Sequence, residues 1–361
     1  MSKKLKVGVV GCGGIANGKH LPALFRNKDV EIVAFCDIIE EKAIEANKKF
    51  GSETSKCYTD YKELLKDASI DTVHVCTPNK SHSFIAIDAM EAGKHVLCEK
   101  PMAKTYKEAM AMVEVSERTG MKLSIGYQNR FTGEARHLHA ACEAGELGEV
   151  YLAKAHAIRR RAVPTWGVFL NEDEQGGGPL IDIGTHALDM TLWMMNNYKP
   201  LYVVGNTYRQ LADTKNAANE FGSWDPDEYK VETAAFGFVT MENGATIVLE
   251  SSWALNTLDV GEAQTTLCGT KAGASTKGGL VFNGEENSRL YEKKINTKSG
   301  GVAFFDGNAN QAPEDFELAA FVNAILNDTE VVVKPRQAAV VTQILEAIYE
   351  SDKTKKPVYF K

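Results

Sequence analysis

The sequence lacks the features that mark several specialised classes of protein. No apolar run approaches the roughly 20 residues that a helix needs to cross a bilayer. The seven cysteines are odd in number, widely spaced and without a CxxC pair, so they indicate neither a disulfide framework nor a zinc or redox motif. The 41 basic and 48 acidic side chains are mixed along the chain, without the basic stripe that binds phosphate backbones. We therefore expect a soluble cytoplasmic protein with no membrane partner and no nucleic-acid partner.

The first third of the chain has the pattern of a parallel sheet with crossover helices. A length of 361 residues with 44% hydrophobic content predicts two globular domains. Up to residue 126, short apolar runs alternate with amphipathic helical patterns. Strands are expected at 6–10, 31–36, 72–76, 95–98 and 122–125, with helices beginning near Ile15, Glu40, Ser81 and Thr105. This alternation predicts a doubly wound α/β domain over residues 1–126.

After Tyr127 the pattern changes to longer runs of alternating residues. Such runs cover 150–159, 231–240 and 245–253 and are typical of a largely antiparallel sheet. Asn243-Gly244 lies between two of them and favours a tight hairpin turn with positive φ. The polar stretch 209–228 predicts a long excursion, and 315–327 and 336–351 predict helices that pack against either domain. We therefore expect an α+β domain with an open, largely antiparallel sheet over residues 127–361.

A glycine-rich turn follows the first predicted strand. Residues 11–16 read GCGGIA and match G-x-G-x-x-A, in which glycines permit a tight turn and the close approach of a pyrophosphate. Asp37 ends the second strand and supplies the acidic residue of a dinucleotide-binding fingerprint. Its carboxylate would accept hydrogen bonds from ribose hydroxyls and repel a 2′-phosphate, which predicts NAD over NADP. The alternative role for Asp37 is a solvated cap of the next helix.

Two further segments end strands at the edge of the sheet where ligands of open α/β folds bind. Thr77-Pro78-Asn79 follows one strand, and Asn79 and His82 are candidates to line the cofactor groove, with a helix-start role equally open for His82. Glu99-Lys100-Pro101 follows the next strand and places Lys100 within reach of a substrate on the nicotinamide. An ordinary exposed lysine is the alternative there.

Three titratable residues recur at helical spacing in the second domain. Asp182, His186 and Asp189 stand at i, i+4 and i+7 in an otherwise apolar segment, so they are predicted to share one helical face. Buried groups of this kind need partners, and a polar cleft would let the carboxylates orient the imidazole and meet substrate hydroxyls. A self-satisfied buried cluster is the alternative. A metal site is disfavoured because no further ligand cluster has suitable spacing, so no metal is expected.

Taken in order, these motifs resemble the glucose-fructose oxidoreductase / inositol dehydrogenase / MocA family nearly end to end. They are GCGGIA at 11–16, CTPN at 76–79, EKP at 99–101, YQNRF at 127–131, GGGPLIDIGTHALD at 176–189 and AIYESDKTKKPV near the end. The resemblance implies a Rossmann domain that binds NAD, with Lys100 on the substrate oxygen, His186 as acid/base and Asp182 assisting. It also implies a homodimer or homotetramer formed through the outer face of the second sheet.

The resulting site assignment covers both domains. Cofactor contacts are expected from Gly11, Gly13, Gly14, Ile15, Asp37, Thr77, Pro78, Asn79, His82, Glu99, Lys100 and Gln128, and substrate contacts from Lys100, Arg130, Trp166, Asp182, His186 and Asp189. Trp166 is a candidate to stack on a sugar ring, although a core or interface role fits equally. The sequence thus predicts an NAD-dependent oxidoreductase acting on a sugar, inositol or related polyol. The alternatives are an NAD-dependent glycosidase and a non-catalytic sugar sensor, of which the sensor is disfavoured because Lys100 and His186 are both present.

Overall fold

Short runs of apolar residues in the first third of the chain form a parallel sheet. The computed structural model describes residues 4–297 and 312–360. The strands are β1 (Leu5–Val10), β2 (Val30–Cys36), β3 (Lys56–Tyr58), β4 (Thr72–Val75), β5 (His95–Cys98) and β6 (Leu123–Ile125). Their order, β3-β2-β1-β4-β5-β6, is that of a doubly wound dinucleotide-binding sheet. The predicted α/β fold is therefore confirmed, and β3, a strand of three residues, is the addition that the sequence pattern did not reveal.

Helices connect these parallel strands and cover the sheet. They are α1 (Leu21–Arg26), preceded by a π-helical turn at Ala16–His20, α2 (Glu40–Phe50), α3 (Tyr61–Leu65), α4 (His82–Glu91) and α5 (Tyr106–Thr119). The start of α5 shows why the sequence folds this way: Thr105 accepts a hydrogen bond from the Glu108 amide, and the Glu108 carboxylate accepts one from the Thr105 amide. Gly120, with φ of 72°, ends that helix in the left-handed conformation.

Alternating runs in the remainder of the chain form a second sheet of nine strands. The strands are β7 (Val150–Ile158), β8 (Pro200–Tyr208), β9 (Ala234–Met241), β10 (Thr246–Ser252), β11 (Gly261–Gly269), β12 (Ala272–Ser275), β13 (Val281–Glu286), β14 (Arg289–Lys294) and β15 (Val358–Tyr359). Their order is β14-β13-β12-β11-β7-β10-β9-β8-β15. Within the described ranges of this sheet β7 and β10 pair in parallel and the other ladders are antiparallel, so the expected largely antiparallel sheet is confirmed and is in detail a mixed one.

One face of the second sheet packs against helices. The helices of this region are α6 (Gly133–Glu143), α7 (Glu172–Gln175) and α8 (Thr185–Met195), with a π-helical turn at Leu180–Gly184 leading directly into α8. Helix α8 packs against β7 and β11, and the hydroxyls of Thr191 and Thr265 lie 2.9 Å apart across that contact. The opposite face presents partly exposed side chains, among them Val204 and Phe238.

The two predicted C-terminal helices are present as α9 (Pro313–Leu326) and α10 (Pro335–Thr354). The chain forms two units, the first of Met1–Gln128 with Gln311–Ala339 and the second of Asn129–Asn310 with Val340–Lys361. Helix α9 therefore belongs to the first unit, where Leu318 and Val322 join the core around β1 and β2. Helix α10 continues from the first unit into the second. No helix within residues 4–297 and 312–360 is long and apolar enough to cross a membrane.

The predicted hairpin at Asn243-Gly244 is present. Strands β9 and β10 pair around residues 242–244, with Met241 donating its amide to the Ala245 carbonyl at 2.8 Å. Gly244 has the expected positive φ, at +87°, whereas Asn243 does not. A short loop that ends on a left-handed glycine therefore joins the two strands. The polar stretch 209–228 is, as expected, an irregular excursion between β8 and β9.

A pair of glycines makes room for α10 on the covered face of the second sheet. Gly205 and Gly237 lie opposite each other on β8 and β9. A Cβ added at Gly205 would lie 2.7 Å from Cγ2 of Ile348 and 3.0 Å from the Phe236 carbonyl oxygen. The sheet and α10 approach this closely because neither glycine carries a side chain.

We predict that Gly205→Val lowers the free energy of unfolding by about 1–3 kcal/mol, because it overpacks a filled contact. Asn206→Val introduces the same side chain at the next residue, on the opposite face, and should change stability by less than about 0.5 kcal/mol. Urea unfolding of both variants measures the difference. Equal stabilities for the two variants would contradict the packing of Ile348 over Gly205.

Candidate active site

The glycine-rich turn after β1 fits a bound pyrophosphate. Gly11 has φ of +90°, and a Cβ added there would lie 2.6 Å from the Cys76 carbonyl oxygen, so only glycine allows the ends of β1 and β4 to approach. No atom lies within 4 Å of a Cβ added at Gly13 or Gly14, so the space above the turn is open. Ile15 follows with 42% of its surface exposed. The turn therefore combines a fixed base with an open upper side, as a dinucleotide requires.

Asp37 is built into this turn. One carboxylate oxygen accepts the amide of Cys12 at 2.9 Å, and the other accepts the amide of Ile39 at 2.9 Å. The first bond fixes the glycine turn, and the second lies at the residue that precedes α2. A carboxylate oxygen can accept two hydrogen bonds, so both oxygens of Asp37 retain capacity for ribose hydroxyls.

The remaining candidates of the first unit follow the carboxyl ends of β4, β5 and β6. Thr77, Asn79, Lys100 and Gln128 are half-buried, and Pro78 is exposed. The Thr77 hydroxyl accepts a hydrogen bond from Ser81 at 2.8 Å. Parallel strands bring all of these residues to the same edge of the sheet as the glycine turn.

His82 is a buried residue of the first unit. It is fully buried, with Nδ1 at 2.8 Å from the Pro101 carbonyl oxygen and Nε2 at 2.9 Å from that of Thr77. Both ring nitrogens are thus engaged with backbone. The His82 ring thus links the segments that follow β4 and β5 by hydrogen bonds. We therefore withdraw His82 from the predicted cofactor contacts.

Glu99 is also buried, and its carboxylate is fully engaged. Oε1 lies 2.7 Å from the Lys19 ammonium and 2.8 Å from Nε2 of His20, and Oε2 accepts the amide of Lys100 at 3.1 Å. The Lys19 ammonium also pairs with Glu317 of α9 at 2.9 Å. Burial alone would raise the pKa of Glu99, but Lys19 and His20 hold it well below its usual value. Because these bonds occupy the carboxylate, we reassign Glu99 from cofactor contact to positioning Lys100.

Asp182 and His186 lie at the junction of two helical geometries in the second unit. Asp182 belongs to the π-helical turn, and His186 is the second residue of α8. The Asp182 carboxylate accepts the indole N–H of Trp253 at 3.1 Å. Both Asp182 and His186 are half-buried, so each keeps part of its surface exposed to solvent.

The third residue of the predicted stripe, Asp189, has a different environment. Its two carboxylate oxygens accept from Nη2 and Nε of Arg130 at 2.6 and 2.9 Å, and the two side chains are almost wholly buried. Burial raises the pKa of Asp189, and Arg130 opposes that rise. The expectation that both residues contact substrate is wrong in this structure, because each buried charge is satisfied by the other. The alternative of a self-satisfied buried residue holds for Asp189.

Comparison with known proteins agrees with both units. A family model described as "Oxidoreductase family, NAD-binding Rossmann fold" matches residues 5–127, and one described as "GFO/IDH/MocA C-terminal domain" matches residues 135–275. The chain belongs to this oxidoreductase family. A relative over nearly the full length is the D-glucoside 3-dehydrogenase of Escherichia coli, 32% identical over 98% of this chain and 97% of that protein.

Solved structures show the same fold for this oxidoreductase. An oxidoreductase domain protein from Kribbella flavida superposes with a TM-score of 0.85 at 23% identity, covering 99% of this chain and all of that one. Levoglucosan dehydrogenase, solved with NADH and levoglucosan, gives a TM-score of 0.81 at 22% identity and covers 99% of each chain. At these identities the likeness concerns the fold alone.

Sequence reasoning missed Glu232, which holds the start of the segment that carries Asp182. Its buried carboxylate accepts the amides of Gly178 and Leu180 at 2.9 and 3.1 Å and the hydroxyl of Tyr349 at 2.8 Å. A Cβ added at Gly178 would lie 2.6 Å from the Glu232 carbonyl oxygen, which accounts for a glycine at this place. The sequence offers one signal for the role of Glu232, because it is the lone acidic residue inside the apolar run at 231–240.

Within residues 4–297 and 312–360, no group of three or more His, Cys, Asp or Glu side chains is arranged to hold an ion.

The buried Lys19, Glu99 and Glu317 cluster predicts a pH-dependent contribution to stability. Burial raises the pKa of Glu317 from an ordinary value of 4.5 to about 7. The Glu317 carboxyl of the folded protein therefore stays protonated at pH values where that of the unfolded chain has ionised. Its contribution to the free energy of unfolding is lost as the pH rises towards 7. We compare the free energy of unfolding of the wild type with that of Glu317→Gln. The difference, wild type minus variant, should fall by about 1–2 kcal/mol between pH 5 and pH 8.

Urea unfolding across that pH range measures this change, and Glu45→Gln, at an exposed position of α2, is the control. The control should show no such slope. A pH-independent difference between the wild type and Glu317→Gln would contradict the elevated pKa.

Proposed function

We propose that this oxidoreductase transfers a hydride between NAD and a hydroxyl-bearing carbon of a sugar, inositol or related polyol. The observation that carries the proposal is the joint placement of the glycine turn, Asp37 and Lys100 at one edge of the parallel sheet. The full-length similarity to a D-glucoside 3-dehydrogenase supports a carbohydrate substrate. All seven cysteines are free thiols, which supports the reducing cytoplasm as the compartment.

The residues of the chain divide the chemistry between them. NAD, when bound, supplies the acceptor for the hydride that leaves the substrate carbon. His186 takes the hydroxyl proton, and the Lys100 ammonium stabilises the negative charge that develops on that oxygen. Asp182 is held by Trp253 and assists His186 by orienting the imidazole and the substrate hydroxyls. In the direction of reduction His186 returns the proton to the oxygen.

Elimination, as in an NAD-dependent glycosidase, makes a further demand. It requires one more base to remove a carbon-bound proton, and none of the site residues described above is assigned to that task. Dehydrogenation needs only the three residues already named, and we therefore favour it.

The position of Asp37 predicts cofactor preference. NAD should be used at least about tenfold better than NADP in kcat/KM, which corresponds to about 1.4 kcal/mol, because a 2′-phosphate would meet the Asp37 carboxylate. Asp37→Ser combined with Ile38→Arg, at a neighbouring position that is 90% exposed, should lower the ratio of kcat/KM for NAD to that for NADP. Steady-state kinetics with both cofactors measures this ratio. Equal use of NAD and NADP by the wild type would contradict the role of Asp37.

Two substitutions test the catalytic assignments. Lys100→Met should lower turnover about 100-fold or more while NAD still binds, and His186→Ala should lose most activity. His186→Ala should also abolish the fall in kcat/KM for oxidation at acid pH, because a protonated imidazole cannot accept the hydroxyl proton. Lys107→Met, at an exposed position of α5, is the matched control for the first substitution. Near-normal turnover in Lys100→Met, or an acid limb that survives in His186→Ala, would contradict the assignment concerned.

We further propose that the protein assembles as a homodimer or homotetramer through the outer face of the second sheet. Val204, Phe238 and Val248 are aligned across three neighbouring strands on that face. Phe238 is 47% exposed and Val204 38% exposed, and an exposed apolar row of this kind favours burial against another copy.

The assembly proposal predicts that Phe238→Glu dissociates the oligomer, because the introduced carboxylates would be buried without partners. Light scattering coupled to gel filtration gives the mass of each species. Phe84→Glu, at a 46% exposed position of α4 in the first unit, should leave the mass unchanged. A monomeric wild type would refute the assembly.

A further inference from the structure

Four aromatic side chains of the second unit form a continuous ledge that leads to Asp182. We define the aromatic ledge as Phe221, Trp166, Phe169 and Trp253. Successive ring centroids lie 4.8, 5.8 and 6.2 Å apart, in edge-to-face contacts at each step. The inner end is fixed to the site already described, because the Trp253 indole donates to the Asp182 carboxylate.

The outer end of the ledge is exposed but held in place. Trp166 is 52% exposed and Phe221 41% exposed, whereas Trp253 is fully buried. Each exposed ring is carried by an irregular loop, and the two loops are joined by hydrogen bonds. The Asn219 side chain bonds both the amide and the carbonyl of Val163, at 2.8 and 2.9 Å, and the Thr165 hydroxyl donates to the Phe221 carbonyl at 2.6 Å. The rings are thus a preorganised surface.

The chemistry of the outer ledge favours a flat apolar ligand. Two polar side chains beside the exposed rings are already engaged: the Thr165 hydroxyl donates to a backbone carbonyl, and the Asn219 amide donates to Val163 and Gly222. A second sugar ring would need hydrogen-bond partners for its hydroxyls. An aromatic ring needs only stacking or edge-to-face contact, which Trp166 and Phe221 offer.

We propose that the aromatic ledge is a subsite for an aromatic aglycone, so that the preferred substrates are aryl glycosides. This inference rests on the proposed oxidation of a sugar near Asp182 and His186. The reacting sugar lies by Asp182 at the inner end of the ledge. The aglycone attached to that sugar reaches the outer end, which is formed by Trp166 and Phe221.

The test compares phenyl and methyl β-D-glucopyranoside, which differ only in the aglycone. For the wild type, kcat/KM should be about tenfold higher for the phenyl compound, and this ratio should fall towards one in Trp166→Ala and in Phe221→Ala. Trp166→Phe should retain much of the ratio because it keeps a ring. Leu290→Ala removes an apolar side chain exposed elsewhere in the same unit and should leave the ratio unchanged.

Isothermal titration calorimetry of the NADH-loaded protein provides a readout that is independent of turnover, because the reduced cofactor cannot accept a hydride from the glucoside. The wild type should bind phenyl glucoside about tenfold more tightly than methyl glucoside, and Trp166→Ala should bind the two alike. Equal binding by the wild type, or a preference that survives in both alanine variants, overturns the inference.

Oxidation of methyl glucoside with no phenyl preference would overturn the inference while leaving the proposed function intact. A phenyl preference in binding without reduction of NAD by either glucoside would support the subsite and contradict the oxidation of a glucoside at Asp182 and His186.

Two further outcomes would reassign the ledge. If cellobiose binds more tightly than phenyl glucoside and loses that advantage in Trp166→Ala, the subsite takes a second sugar and the aromatic assignment is overturned. If Trp166→Ala or Phe221→Ala lowers the mass in solution and leaves the binding ratio unchanged, the ledge is a contact between copies of the chain.

Discussion

The buried carboxylate of Glu99 is the constraint on which the first unit depends. A charge removed from water must be paired and fully hydrogen-bonded, or its burial costs several kcal/mol. Glu99 meets this demand with Lys19 from the helical segment after the glycine turn, His20 beside it and the amide of Lys100. Lys19 extends the pairing to Glu317 on α9. A single buried group thus ties together the cofactor turn, the end of β5 that carries Lys100 and a helix some 200 residues later in the sequence.

The second unit uses buried charge in the same way. Glu232 gathers two amides of the segment before Asp182 together with the hydroxyl of Tyr349, and so fixes the start of the helical region that carries Asp182 and His186. The buried pair of Arg130 and Asp189 fastens the same helix one turn beyond His186. Asp182 and His186 are half-buried, and it is to them that the proposed function assigns chemistry in this region.

Local pattern was sufficient to predict the doubly wound parallel sheet, the glycine turn with Asp37 and the position of Lys100 at the end of a strand. Each of these follows from strand periodicity and from turn residues within a few positions. The stripe of Asp182, His186 and Asp189 was predicted as one polar face, but spacing along a helix does not reveal which side faces the core, and the partner of Asp189 lies 59 residues away. The roles of Glu99 and His82 were missed for the same reason, because their partners come from other strands and loops. The short strand β3 carries too few residues for any period to be visible.

Transfer of deuterium tests the central claim most directly. Sugars and inositols that carry deuterium on every carbon are incubated with the protein and NAD, and the cofactor is analysed by mass spectrometry and NMR. Hydride transfer predicts one deuterium at C4 of each reduced nicotinamide, formed in equal amount with a keto product. Consumption of the substrate with the cofactor still oxidised and free of deuterium at the end of the reaction would contradict the account.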